Sequence, residues 1–102
     1  MREADRDILE RFKTLLAVRV RIDRLILFGS RARGDADRES DMDVVVVVDE
    51  PVTVGLLDSA WEAGFGQGVV LVPVVFSRDE WNTETRLGSL LAFAVEREGV
   101  PV

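Results

Sequence analysis

At 102 residues the chain has the length of one packed core, and residues 1–102 are expected to form a single domain. Its 47% apolar and 31% charged residues suit a soluble globular protein, while the absence of cysteine and histidine excludes disulfides, thiolate or imidazole metal sites, and Ser-His or Cys-His catalysis. The net charge of −6 argues against an extended nucleic-acid interface, because the phosphate term would be repulsive, and any bound metal would be a hard ion taken by oxygen.

From the N-terminus, residues 3–18 carry Ile8, Leu9, Phe12, Leu15 and Leu16 at a spacing that lines one face of a helix. The run RLILF, closed by Gly29, predicts a buried strand over about 25–28. Residues 43–48, with five consecutive valines, predict a second strand covered on both faces, since β-branched residues suit a pleated surface better than a helix. Asp49, Glu50 and Pro51 end it, and Leu56, Leu57, Ala60 and Trp61 recur at helical spacing within about 53–63, with GFGQG as the stop.

VVLVPVVF, residues 69–76, reads as a third strand, and Pro73 places it at an edge or a bulge because proline donates nothing to a ladder. Ser77 and Glu80 have capping-box spacing, which predicts a short helical turn over about 79–82. A last helix is predicted over about 85–97, with Leu87, Leu90, Leu91 and Ala94 inward and Gly99 as its stop. Trp61 and Trp81 are expected to be packing residues. The order of elements predicts a small α/β (α+β) layer with a mixed sheet of three or more strands.

No segment approaches the roughly 18 to 20 uninterrupted apolar residues of a membrane helix, and MREADRDILERF is charged where a signal peptide is apolar. The sequence is therefore read as cytoplasmic, with no membrane association.

One stretch is costly to fold without a ligand. Asp41 and Asp43 lie two apart at a strand entry, so their carboxylates point to one face and repel unless a cation neutralises them. A divalent metal does so, and paired metals on carboxylates are a recurrent device in phosphoryl and nucleotidyl transfer. Gly29 and Ser30 open a turn after the first strand, and Ser30, Arg31 and Arg33 offer donors for phosphate oxygens. Asp-X-Asp or Gly-Ser alone is more often a solvated turn. Joined at this spacing between two strands, they point to one site. Asp35, Asp37, Arg38 and Glu39, inside the same loop, need no role beyond solvation.

Gly29-Ser30, ten intervening residues and Asp41-Met42-Asp43 closely resemble the signature of the DNA polymerase beta-like nucleotidyltransferase superfamily, and the length resembles its minimal members. The resemblance implies a palm fold holding two Mg²⁺ ions on Asp41 and Asp43, with a nucleoside triphosphate, ATP in the first instance, bound by the Gly29-Ser30 turn that Arg31 and Arg33 adjoin. It also implies transfer of AMP to an acceptor hydroxyl with release of pyrophosphate. Minimal members are commonly antitoxins of a HEPN-domain toxin, and some silence it by placing AMP on a tyrosine.

The chain departs from that pattern at one point. Active members usually carry a third carboxylate on a later strand, as metal ligand and base, and VVLVPVVF has no acid. Asp49, Glu50, Asp79 and Glu80 adjoin strand ends, and none is assigned to the role. Two readings follow: a Mg-dependent nucleotidyltransferase acting on a toxin partner, and a weakened or inactive relative that neutralises the partner by binding alone.

Overall fold

In the computed structural model, residues 2–34, 40–49 and 56–102 are described. Helix α1 spans Glu3–Ala17, strand β1 Ile22–Phe28, the single-turn helix α2 Ser30–Arg33, strand β2 Met42–Val48 and helix α3 Leu56–Phe65. Strand β3 spans Leu71–Ser77, helix α4 Arg78–Leu87, helix α5 Leu90–Glu98 and strand β4 Val100–Pro101. The mixed sheet has the order β3-β2-β1-β4, with β1 antiparallel to β2 and β4, and β2 parallel to β3. This is the expected α+β layer with one strand more than the minimum.

The valine run explains the architecture. Val44, Val46 and Val48 pack with Ile8, Leu9, Phe12 and Leu16 of α1 and with Leu56, Ala60 and Ala63 of α3. Val45 and Val47 face the other way, onto Trp81 of α4 and Ala92 and Val95 of α5. All five valines are buried, so β2 is covered on both faces as its composition requires.

Strand β3 is an edge among the described residues, and proline fits there for a specific reason. The Met42 N–H donates to the Val70 carbonyl at 2.9 Å, and Val44 stands opposite Pro73. In a parallel ladder that phase turns the backbone groups of residues 72, 74 and 76 towards β2 and those of 71, 73 and 75 outwards. The N–H that proline lacks is one the ladder does not use.

The C-terminal third differs from the sequence reading. The predicted turn over 79–82 is the ten-residue α4, started by a complete capping box in which Ser77 Oγ accepts from the Glu80 N–H and Glu80 Oε1 accepts from the Ser77 N–H. The predicted helix over 85–97 is broken: Gly88, at φ 66°, closes α4, and Ser89 accepts from the Ala92 N–H to start α5. Leu87 and Leu90 flank the break and are exposed; Ala92 and Val95 face the core instead. Trp81 is buried as expected, but Trp61 is 66% exposed, its ring 5.5 Å from that of Phe65, which is also exposed. The start of the predicted helix at 53 and residues 35–39 and 50 lie outside the described residues.

Candidate metal and nucleotide site

The site lies where β1 ends and β2 and β3 begin. Asp41 directly precedes β2, and Asp43 is its second residue, opposite Phe28 of β1 and Val72 of β3. Alternation puts Asp41, Asp43, Val45 and Val47 on one face of the sheet, the face that α4 and α5 cover further along. Met42 points the other way and is fully buried, so the strand fixes the carboxylates by anchoring the residue between them.

Gly29 is built for this corner. It has φ 79° and ψ −157°, a combination that side chains resist, and a Cβ there would lie 2.8 Å from Asp43 Oδ2. The backbone of the Gly-Ser turn and the Asp43 carboxylate thus approach more closely than any other residue would allow. The Arg33 N–H donates to the Gly29 carbonyl and the Gly34 N–H to the Ser30 carbonyl, which closes α2 as one turn. Ser30 is half-buried at its start.

The electrostatics of the pair are those of a site short of positive charge. Partial burial pushes the Asp43 carboxyl above the usual carboxylate range, and the neighbouring Asp41 adds to the rise. No group of three or more acidic ligands that could hold a metal occurs among the described residues. Two carboxylates on one face, one of them held protonated more readily than usual, suit Mg²⁺, which keeps waters and takes its remaining oxygens from a bound phosphate. The donor set fits that ion and would hold it through Asp41 and Asp43.

The two arginines part company. Arg31 is 4% exposed and turned into the protein, its Nη1 donating to Asp5 Oδ1 at 2.6 Å and its Nε and Nη2 to the Ser40 carbonyl at 3.0 and 2.7 Å. A guanidinium so engaged is not presented to a phosphate, contrary to the expectation from the motif. Arg33 is on the surface and donates to Glu98 of α5 at 2.8 Å. An exposed pair of this kind is weak, so Arg33 stays within the competence of a phosphate ligand.

Asp5 was not singled out by the motif, but its signal was present. It falls three and four residues before Ile8 and Leu9, on the apolar stripe of α1, where a carboxylate needs a buried partner. The other carboxylates are elsewhere: Asp49 accepts from Arg78 and pairs with Arg21, and Glu80 caps α4. Because β2 and β3 run parallel, Asp49, Asp79 and Glu80 sit at the end of the sheet opposite Asp43, roughly 15 Å or more along the strands. The position beside Asp43 belongs to Val72, which is 38% exposed.

Comparison with known proteins shows the family and the fold. Residues 5–99 match the family model of a nucleotidyltransferase domain. Two proteins of Methanocaldococcus jannaschii, each named "Putative protein adenylyltransferase" and distinguished as MJ0141 and MJ0604, are 32% and 39% identical over 78 and 64 residues. Those matches cover 71% and 63% of this chain, and 79% and 63% of the two relatives. A chain of the "Crystal structure of the toxin-antitoxin with AMP-PNP" superposes with a TM-score of 0.65 at 18% identity, over 90% of this chain and 69% of that one, a likeness of fold.

Proposed function

The chain belongs to the nucleotidyltransferase domain family, and from that premise we propose that it transfers AMP from ATP to a hydroxyl of a protein partner, as the antitoxin of a toxin-antitoxin pair. The observation that carries the reading is the corner itself: Asp41 and Asp43 on one sheet face, with the Gly29 backbone against the Asp43 carboxylate. The names of the relatives support the adenylyl group, and the toxin-antitoxin neighbour supports the role. The family resemblance makes a HEPN-domain toxin the partner to test first.

In this reading Asp41 and Asp43 hold Mg²⁺, two ions in the full assembly, and the turn at Gly29 and Ser30 receives the triphosphate. A metal held there would supply the charge that neutralises the two carboxylates and would polarise the α-phosphate. The acceptor oxygen then bonds to the α-phosphorus, the bond from that phosphorus to the bridging oxygen breaks, and pyrophosphate leaves. Arg33, released from Glu98, orients phosphate oxygens. Among the described residues no carboxylate stands beside Asp43 on β3, where Val72 lies, so in this reading the acceptor's proton would pass to water.

Incubation with labelled ATP, Mg²⁺ and the candidate toxin tests the assignment. Label should appear on the toxin with the wild-type chain and not with Asp41→Asn or Asp43→Asn; transfer that survives both substitutions removes the site.

The valine at 72 favours a second reading, neutralisation by binding alone. General-base assistance is worth roughly 10² to 10⁴ in rate, so a site without it binds a nucleotide better than it turns it over. Under this reading Asp41→Asn and Asp43→Asn still neutralise the toxin in cells. Val72→Asp separates the two mechanistically, since it sets a carboxylate next to Asp43 on the same face. It is expected to raise the transfer rate by roughly 10² or more, within the 10² to 10⁴ span of base catalysis, and an unchanged rate would show that an acid at this position does not limit turnover.

A further inference from the structure

Arg31 and Asp5 leave a question that the nucleotide site does not answer: why a charged pair is buried in so small a core. The side chains are 3% and 4% exposed, and Asp5 Oδ2 is buried without a hydrogen-bond partner among the described groups. Burying two charges is costly, and apolar residues of similar size in such a place are often as stable or more so. Stability alone therefore does not account for the pair.

Its geometry does. Arg31 belongs to α2, Asp5 to α1, and the carbonyl that Arg31 grips with both Nε and Nη2 belongs to Ser40, the residue before Asp41. Asp41 lies outside the regular strand, and the first ladder bond of β2 comes one residue later, from the Met42 N–H to Val70. The metal-facing residue is thus spanned by two anchors, Arg31 on Ser40 behind it and the sheet on Met42 ahead.

We propose that Arg31, oriented by Asp5, is a positioning residue that fixes the Ser40 carbonyl and so aims the Asp41 carboxylate at the metal site. The inference rests on the reading of Asp41 and Asp43 as metal ligands. A planar fork is required for it: Nε and Nη2 take one acceptor while Nη1 takes another, and lysine, a single ammonium, cannot hold both.

The test is Mn²⁺ binding, followed by loss of the free-ion electron paramagnetic resonance signal, alongside thermal melting of the same variants. Asp5→Leu combined with Arg31→Met replaces the pair with apolar residues and leaves no buried charge. It is expected to melt near the wild type while Mn²⁺ affinity falls roughly 10- to 100-fold, the usual cost of losing a group that orients a ligand. Arg31→Lys, which keeps a cation for Asp5, is the second variant and carries the test if the first does not fold; it should hold its melting temperature and lose affinity in the same range. A folded variant that binds Mn²⁺ as tightly as the wild type, while Asp43→Asn does not, overturns the positioning role and leaves the site intact. Wild-type protein that binds Mn²⁺ no better than Asp41→Asn and Asp43→Asn overturns the site and the inference together.

Discussion

Asp43 bears two penalties that act in the same direction, partial burial and the charge of Asp41, and both raise its pKa above the ordinary value. The folded chain therefore holds this proton more tightly than the unfolded chain, so the contribution to stability is full below the unfolded pKa. It is lost as pH rises through the raised folded value. At neutral pH without metal the wild type carries that loss, and Asp43→Asn does not. The variant should melt higher than the wild type at pH 7, with the gap closing as pH falls below the carboxylate range; solvent screening keeps the gain under about 1 kcal/mol. Melting curves across that window check it, and a variant less stable at pH 7 would mean that the carboxylate is already compensated in the free protein. At the same scale, the placement of Asp41 and Asp43 on one sheet face, with Gly29 against Asp43, was legible because spacing and strand alternation dictate it. The motif misplaced Arg31 because the direction of a long side chain depends on what is buried nearby. Here that was Asp5, a residue of another element whose only signal was its position on an apolar stripe.

Elements were legible where one period or one terminator governs them. The valines announced a doubly covered strand, and Pro73 announced an edge, but Leu87, Leu90 and Leu91 run in helical rhythm through Gly88 and Ser89 and hid the break between α4 and α5. The pair Gly-Ser at that point is a stop followed by a cap, and there local backbone chemistry outweighs periodicity. The edge position of β3 has a consequence of its own. With Pro73 in place, the outward row of β3 lacks one donor, and an approaching strand would leave an acceptor unmatched. Pro73→Val restores that N–H without disturbing the bonds to β2 and adds a β-branched residue to a strand that is an edge among the described residues. It should leave the monomer fold intact and increase self-association with concentration, measured by light scattering; no increase over the wild type would mean that the edge is protected by something other than proline.

Across the whole molecule the sheet separates two unequal layers. Among the described residues, fourteen buried apolar residues join α1 and α3 to the sheet, and only six join α4 and α5. The thinner layer is also tied by surface ion pairs, Arg33 with Glu98 and Arg78 with Asp23 and Asp49, and such pairs add little to stability. Apolar burial decides which part opens first, so the α4–α5 layer is expected to open as a unit while β2 and α1 open only with global unfolding. Native-state hydrogen exchange should therefore show amides of residues 79–98 exchanging well before those of residues 44–48 and 8–16. The candidate corner shares the α4–α5 face of the sheet, and Arg33 reaches α5 directly, so Mg²⁺ with AMP-PNP should slow exchange in α2 without equalising the two layers. Uniform protection across both layers would show that the smaller core is held by more than its buried apolar residues.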